Sequence, residues 1–258
     1  MLLAIDSGNT NTVFAIFNDE GAIISQWRAA AKTAKTADEL AVWLSQLMKL
    51  ENISRDDVTE VIIATVVPEN LFDLKTLSSK YFGCKALVVG DPDVELGIEI
   101  NVDRPDEVGA DRLVNTVSAY KTYGGPLIVL DFGTATTFDV VGPEGAYEGG
   151  VIAPGVNLSL ETLQRAAAKL PRIEIVKPER VIGTNTITAM QSGIYYGYAS
   201  MIEGVIARIR NEKELESLPA IGTGGLAKLY APACPSIQNI DEDLTLRGLF
   251  VINAKNRA

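Results

Sequence analysis

The chain has 258 residues, 47% of them hydrophobic, which is enough apolar material for two cores in lobes of about 120 residues each. Its net charge of −10 argues against nucleic acid as a partner, since phosphate backbones need clustered Lys and Arg, and the absence of histidine leaves any proton transfer to a carboxylate. No apolar run nears the roughly 20 residues that span a bilayer, no basic-then-apolar leader opens the chain, and Cys84 and Cys234 lack metal-like spacing; a cytoplasmic protein with reduced thiols and no membrane partner is expected.

In chain order, residues 2 to 8 and 12 to 18 read as a β-hairpin, an apolar run that reaches Asp6, turns on Gly8 and returns through Thr and Phe. A third strand covers Ile23 to Arg28. Thr36, Asp38 and Glu39 open an amphipathic helix whose Leu40, Trp43, Leu44 and Leu47 follow a 3.6 period, which makes Trp43 a core residue. A strand at 61 to 67, a helix from Asn70 to Tyr81 and a strand from Ala86 to Val89 follow. The stretch 90 to 106, rich in Asp, Glu, Gly and Pro, is expected to be a loop crossing toward a cleft. A helix from Val108 to Tyr123 spans a lobe boundary placed near residue 118, giving lobes 1–118 and 119–258.

The second lobe repeats the first. Its hairpin at 127 to 141 carries Asp131-Phe132-Gly133-Thr134-Ala135-Thr136-Thr137-Phe138, an echo of Asp6-Ser7-Gly8-Asn9-Thr10-Asn11-Thr12-Val13-Phe14. The strand ending in Thr65-Val66-Val67-Pro68 has its counterpart in Ala220 to Leu226. Between these lie a glycine-rich strand and turn from Glu148 to Gly155, a helix from Leu158 to Ala167 and an exposed connector from Lys177 to Thr186. A long helix then runs from about Ile187 to Arg210, where Gly193 and Gly197 would let another helix approach closely, within the lobe or across a dimer.

Each Asp-x-Gly turn combines a glycine that lets backbone approach a ligand, neutral Asn and Thr donors, and a carboxylate able to hold a cation. One such turn is adequately explained by hairpin geometry. A matching pair in two halves points to a cradle for polyphosphate. The order hairpin, strand, helix, strand, helix in each half resembles the ribonuclease H-like fold of actin and the sugar kinases, an α/β architecture of two duplicated lobes with a nucleotide cleft between them. A further cluster, Glu107-Val108-Gly109-Ala110-Asp111-Arg112, sits at a helix start. Acidic residues there complement the helix dipole, but Arg112 can also fork onto a substrate and Asp111 can accept a proton from an alcohol.

Taken together, Asp6-x-Gly8-Asn9-Thr10, Gly109-Ala110-Asp111-Arg112, Asp131-Phe132-Gly133-Thr134, Gly183-x-Asn185-Thr186 and Thr223-Gly224-Gly225 resemble the type III pantothenate kinases in order and spacing, over essentially the whole chain. The resemblance implies ATP-dependent phosphorylation of pantothenate to 4′-phosphopantothenate, the first step of coenzyme A biosynthesis. It implies that Asp6, Ser7, Gly8, Asn9, Thr10, Asn11, Thr12 and Val13 bind ATP, with Asp6 near Mg²⁺ and the triphosphate. It further implies that Thr134 contacts ATP, that Asp131 holds a monovalent cation, K⁺ or NH₄⁺, and that Thr223 to Gly225 lie beside the adenosine. Gly109, Ala110, Asp111 and Arg112 would bind substrate with Asp111 as general base, and Thr186 would reach pantothenate from the other subunit of a homodimer.

The match departs from the family pattern at one place. Where the family commonly shows Tyr-Asp-Asn-Pro, this chain has Val102-Asp103-Arg104-Pro105, which removes a tyrosine expected to line the pantothenate pocket and adds a charge. Two other readings compete with the kinase. One is a non-catalytic, nucleotide-binding transcriptional accessory relative, against which the intact Asp6, Asp111 and Asp131 argue. The other is a sugar kinase of the same superfamily, against which the short length argues.

Overall fold

The computed structural model describes residues 1–31, 35–167 and 170–257. They fall into two compact units, one of residues 1–122 together with 243–258, the other of residues 123–242.

The first unit is a five-stranded sheet in the order β3-β2-β1-β4-β5. β1 (Leu2–Ser7) pairs antiparallel with β2 (Asn11–Phe17), which pairs antiparallel with β3 (Ile23–Ala30). On its other side β1 runs parallel to β4 (Glu60–Thr65), and β4 parallel to the short β5 (Leu87–Val88). Leu2, Leu3, Ala4 and Ile5 are all fully buried, so β1 reads as a continuous apolar run because both faces of the sheet are covered. Leu3, Ile5, Phe14 and Ile16 meet α1 (Ala37–Leu50) and α2 (Pro68–Tyr81) through Leu40, Leu44, Met48, Leu74 and Leu77. Leu2, Ala4, Ala15 and Phe17 face the opposite way, onto Val114 and Val117 of α3 (Ala110–Tyr123) and Leu246, Leu249 and Ile252 of the last helix.

The start of α1 is fixed locally. The Thr36 hydroxyl accepts from the Glu39 N–H while the Glu39 carboxylate accepts from the Thr36 N–H, the reciprocal pair that satisfies two orphan donors. Met48, not Leu47, completes its buried stripe, and Trp43 lies half-buried, edge-on to Phe14 at 5.5 Å between ring centres.

The second unit has the order β10-β9-β6-β7-β8, the same pattern as the first. β6 (Leu127–Phe132) pairs antiparallel with β7 (Ala135–Val141), β7 antiparallel with β8 (Tyr147–Pro154), and β6 parallel with β9 (Ala220–Gly224), itself parallel to β10 (Ile237–Ile240). The face carrying Ile128, Leu130, Phe132, Phe138 and Val140 packs on α4 (Val156–Ala166), α5 (Thr186–Glu212) and α6 (Ala227–Tyr230). Two sheets of one strand order and one set of pairing senses are the duplicated ribonuclease H-like lobes that the repeated hairpin predicted.

The division of the chain differs from the expected 1–118 and 119–258. α3 belongs to the first unit as far as Thr122, and α7 (Leu244–Lys255) returns to that unit instead of closing the second. The reason is burial: Leu246, Leu249 and Ile252 cover the face of the first sheet that α3 leaves partly open. Polar anchors fix the return, since the Glu60 carboxylate accepts from Asn253 at 2.9 Å and from Arg257 at 2.7 Å. None of the helices among the described residues is long and apolar enough to cross a membrane.

Candidate active site

In the first unit the predicted residues lie at the end of the sheet where the interior strands β1 and β4 finish. The tip of the hairpin is closed by Gly8 N–H donating to Asn11 O at 3.0 Å, which leaves Asn9 and Thr10 exposed at the apex. Beneath it, Ser7 and Thr12 are directly opposite and buried, with their hydroxyls 3.2 Å apart. The Ser7 carbonyl accepts from Val66 N–H and from the Thr65 hydroxyl, both at 3.2 Å, so the end of β1 is tied to the end of β4.

That junction places the second cluster. A β-carbon built on Gly109 would stand 3.6 Å from the Val66 side chain and 2.7 Å from Asp111 Oδ1. Gly109 leaves room for the Asp111 carboxylate to fold back over the start of α3, where Oδ1 accepts from Arg112 N–H at 2.8 Å. Burial raises the Asp111 carboxyl above the ordinary aspartate range, against the opposing pull of the Arg112 N–H and guanidinium. A half-buried carboxylate held on a helix start, with a raised proton affinity, is equipped to take a proton from a hydroxyl.

Arg104 stands just upstream. Its guanidinium lies 3.2 Å from Asp106 and 3.1 Å from Glu107, bracing the short helical turn at Pro105–Glu107. All three side chains are exposed, so these pairs shape the turn more than they stabilise it.

In the second unit Asp131, Gly133 and Thr134 occupy the equivalent turn, where glycines let neighbouring backbone pack closely. Gly224 has φ +86, and a β-carbon on it would stand 2.6 Å from Asp131 Oδ1 and 2.8 Å from Phe132 O. A β-carbon on Gly155 would stand 2.1 Å from Thr134 O. Tyr198 fixes that second approach by donating to Pro154 O at 3.0 Å and hydrogen-bonding Ser159, and Phe132 stacks on Tyr230 with ring centres 5.5 Å apart. The position kept clear by Gly224 is bordered by the Asp131 carboxylate and by the Phe132 carbonyl oxygen and amide nitrogen. Among the described residues no group of three or more Asp, Glu, Cys or His is placed to hold a metal.

Thr186 is exposed as the first residue of α5. Asn185 caps that helix by accepting from Thr188 N–H at 3.0 Å, and Gly183 packs where a β-carbon would lie 2.3 Å from Ala189 N. Thr186 lines a groove of 720 Å³ with Leu163, Leu170, Met190 and Gly193, and neither Asp131 nor Thr134 belongs to that lining. A β-carbon at Gly193 or Gly197 would meet nothing within 4 Å.

Sequence reading missed Asn70, whose side-chain amide donates to Ser7 at 3.2 Å, and the pairing of Gly155 with Thr134. Gly155, at the end of the Glu148 to Gly155 run, was visible as a turn. Nothing in the sequence showed which backbone it approaches.

The chain is similar to known proteins over nearly its whole length. The family model of type III pantothenate kinase matches residues 2–208. A type III pantothenate kinase of Rhodospirillum rubrum is 59% identical over 257 residues, covering 100% of this chain and 99% of the relative. Among solved structures, a protein of Sinorhizobium meliloti described as a 2-dehydro-3-deoxygalactonokinase is 15% identical with a TM-score of 0.65, covering 99% of this chain and 96% of that one. A Campylobacter jejuni protein described as a Baf family transcriptional activator is 18% identical with a TM-score of 0.61, covering 98% of each chain. Those two likenesses bear on the fold alone.

Proposed function

We propose how the side chains of this chain, which belongs to the type III pantothenate kinase family, divide the work of its reaction. The enzyme phosphorylates pantothenate at the expense of ATP and opens coenzyme A biosynthesis. Phosphoryl transfer demands in-line placement and charge screening more than covalent help, so turns of Gly, Asn and Thr are suitable equipment. The segment from Asp6 to Val13 holds the triphosphate, with Asp6 beside Mg²⁺, and Thr134 makes a second contact to ATP. Asp131 holds K⁺ or NH₄⁺, which when bound adds positive charge against the phosphates.

Gly109, Ala110, Asp111 and Arg112 bind pantothenate. The primary hydroxyl of pantothenate gives its proton to Asp111 as its oxygen bonds to the γ-phosphorus, and the bond to the β-phosphate oxygen breaks to release ADP. Arg112 orients the acceptor through its guanidinium fork. The observation that carries this reading is the meeting of Gly109 and Asp111 with the Val66 and Ser7 junction, which brings a carboxyl of raised proton affinity to the same end of the sheet as the first turn.

A coupled assay of ADP release tests the reading. Turnover is expected with pantothenate and not with glucose, in potassium or ammonium buffers and poorly in sodium with Mg²⁺ present. Equal rates in sodium and potassium would refute the role of Asp131.

The active form is a homodimer in which Thr186 reaches the partner's pantothenate. Support comes from the unfilled space over Gly193 and Gly197 and from Val181 and Ile182, 64% and 82% exposed beside the Thr186 groove. Apolar side chains left in water next to a groove are the ordinary mark of a partner surface. A heterodimer of Asp111→Asn and Thr186→Arg subunits, isolated with two tags, should recover part of the activity because one of its sites carries neither lesion. A heterodimer as inactive as either parent rules the shared site out.

A further inference from the structure

Asn70 is the third residue of α2, a helix whose own N-terminus has no side-chain cap. Its amide turns instead to β1 and donates to Ser7 Oγ at 3.2 Å, across 63 positions of sequence. Ser7 in turn lies 3.2 Å from the Thr12 hydroxyl, and both residues are buried. The amide nitrogen of Asn70 can only donate, so Ser7 Oγ accepts from it, and Ser7 and Thr12 share one further hydrogen bond. A small cavity of 20 Å³ beside them, about the space of one water, is lined by residues that include Thr12, Lys35, Asn70 and Asp73.

The geometry points to Asn70 as a positioning residue for the phosphate-binding turn. Ser7 and Thr12 are the last cross-strand pair before the tip, so the spacing of this pair sets how the turn from Gly8 to Asn11 is held above it. The Ser7 carbonyl is already held by Val66 and Thr65. Asn70 supplies the missing constraint on the Ser7 side chain, and it sets affinity for ATP, not for pantothenate. This rests on the proposed role of residues 6 to 13 in holding the triphosphate.

Steady-state kinetics on the full-length enzyme test it. Asn70→Leu keeps the size and removes the donor, so KM for ATP should rise about three- to tenfold, the range of one lost buried hydrogen bond, while KM for pantothenate stays within about twofold. In a Ser7→Ala background Asn70→Leu should add nothing, because the relay it works through is gone. Asn70→Asp, which keeps the shape but cannot donate, serves the same comparison if the leucine variant folds poorly. An unchanged KM for ATP, an equal rise in both KM values as a purely structural role would give, or effects that multiply in the double variant would each overturn the assignment. Asp6→Asn separates the two levels. If it raises KM for ATP while Asn70→Leu does not, only the role of Asn70 falls; if it leaves KM for ATP unchanged, the role of the turn falls and that of Asn70 with it.

Discussion

The turn after β1 and the turn after β6 occupy the same place in two sheets of one strand order, yet they are braced by different means. The first is held by polar side chains: Ser7 with Thr12, Asn70 on Ser7, Thr65 on the Ser7 carbonyl. In the second, close approach at glycines stands out, with Gly224 against Asp131 and Gly155 against Thr134, backed by Tyr198 on Pro154 O and the stack of Phe132 on Tyr230. Hydrogen bonds of this kind are individually modest and substitutable, whereas overlap of a β-carbon with a backbone oxygen has no partial remedy. The first turn should therefore respond to substitution in steps and the second all at once. The units also differ in chemistry, since Asp111, the proposed base, belongs to the first.

The largest effect is expected where that chemical difference is removed. Asp111→Asn should lower kcat by about 100- to 10,000-fold with pantothenate binding largely kept. The same change should raise thermal stability at neutral pH. Burial lifts the folded-state pKa of Asp111 above its unfolded value, so its contribution to stability is fully present below the unfolded pKa and is lost as pH rises through the folded pKa. Asparagine never incurs the cost of burying that charge. By the same shift, kcat/KM of the wild-type enzyme should fall on the acid side at a higher pH than an ordinary aspartate would give. Near wild-type turnover, or a variant less stable than its parent at pH 7, would move the base elsewhere.

Next in size are the glycines of the second turn. Gly155→Ala and Gly224→Ala each force a β-carbon into a backbone oxygen, and Gly224 adds a left-handed φ. Each should cost about 1 to 3 kcal/mol of stability by overpacking, with at least a tenfold loss of kcat/KM for ATP. Gly224→Ala should also blunt the response to potassium, since it fills the space beside Asp131. Denaturant titration and potassium-dependent rates measure both effects.

The smallest effect should come from the first turn. Ser7→Ala should cost about 0.5 to 1.5 kcal/mol and raise KM for ATP by a few fold, leaving a folded and active enzyme. If it proves as damaging as Gly155→Ala under the same assays, the contrast between the two turns does not hold.

Much of this layout was legible in the chain. The first hairpin and its echo were visible because a turn needs its Asp and Gly next to one another, and the strand starts and ends are set by neighbours. The start of α1 was legible from Thr36 and Glu39, a capping pair three residues apart. The burial of Met48 in place of Leu47 was not, because a one-residue rotation of a helical stripe is decided by the surface it meets. The Arg104 ion pairs were equally hidden, although the change of residue was plain.

By itself, then, the sequence determined the repeated α/β lobes, the two turns and the Gly-Ala-Asp-Arg segment, all of which rest on short-range patterning and residue chemistry. Tertiary structure alone decided that α7 returns to cover the first sheet, that Asn70 reaches Ser7, and that Gly155 and Gly224 border Thr134 and Asp131. The physical reason is range. Periodicity, capping and turn propensity act between residues a few positions apart, but the room left for a β-carbon or the partner found by a buried amide is fixed by backbone that arrives from tens of residues away.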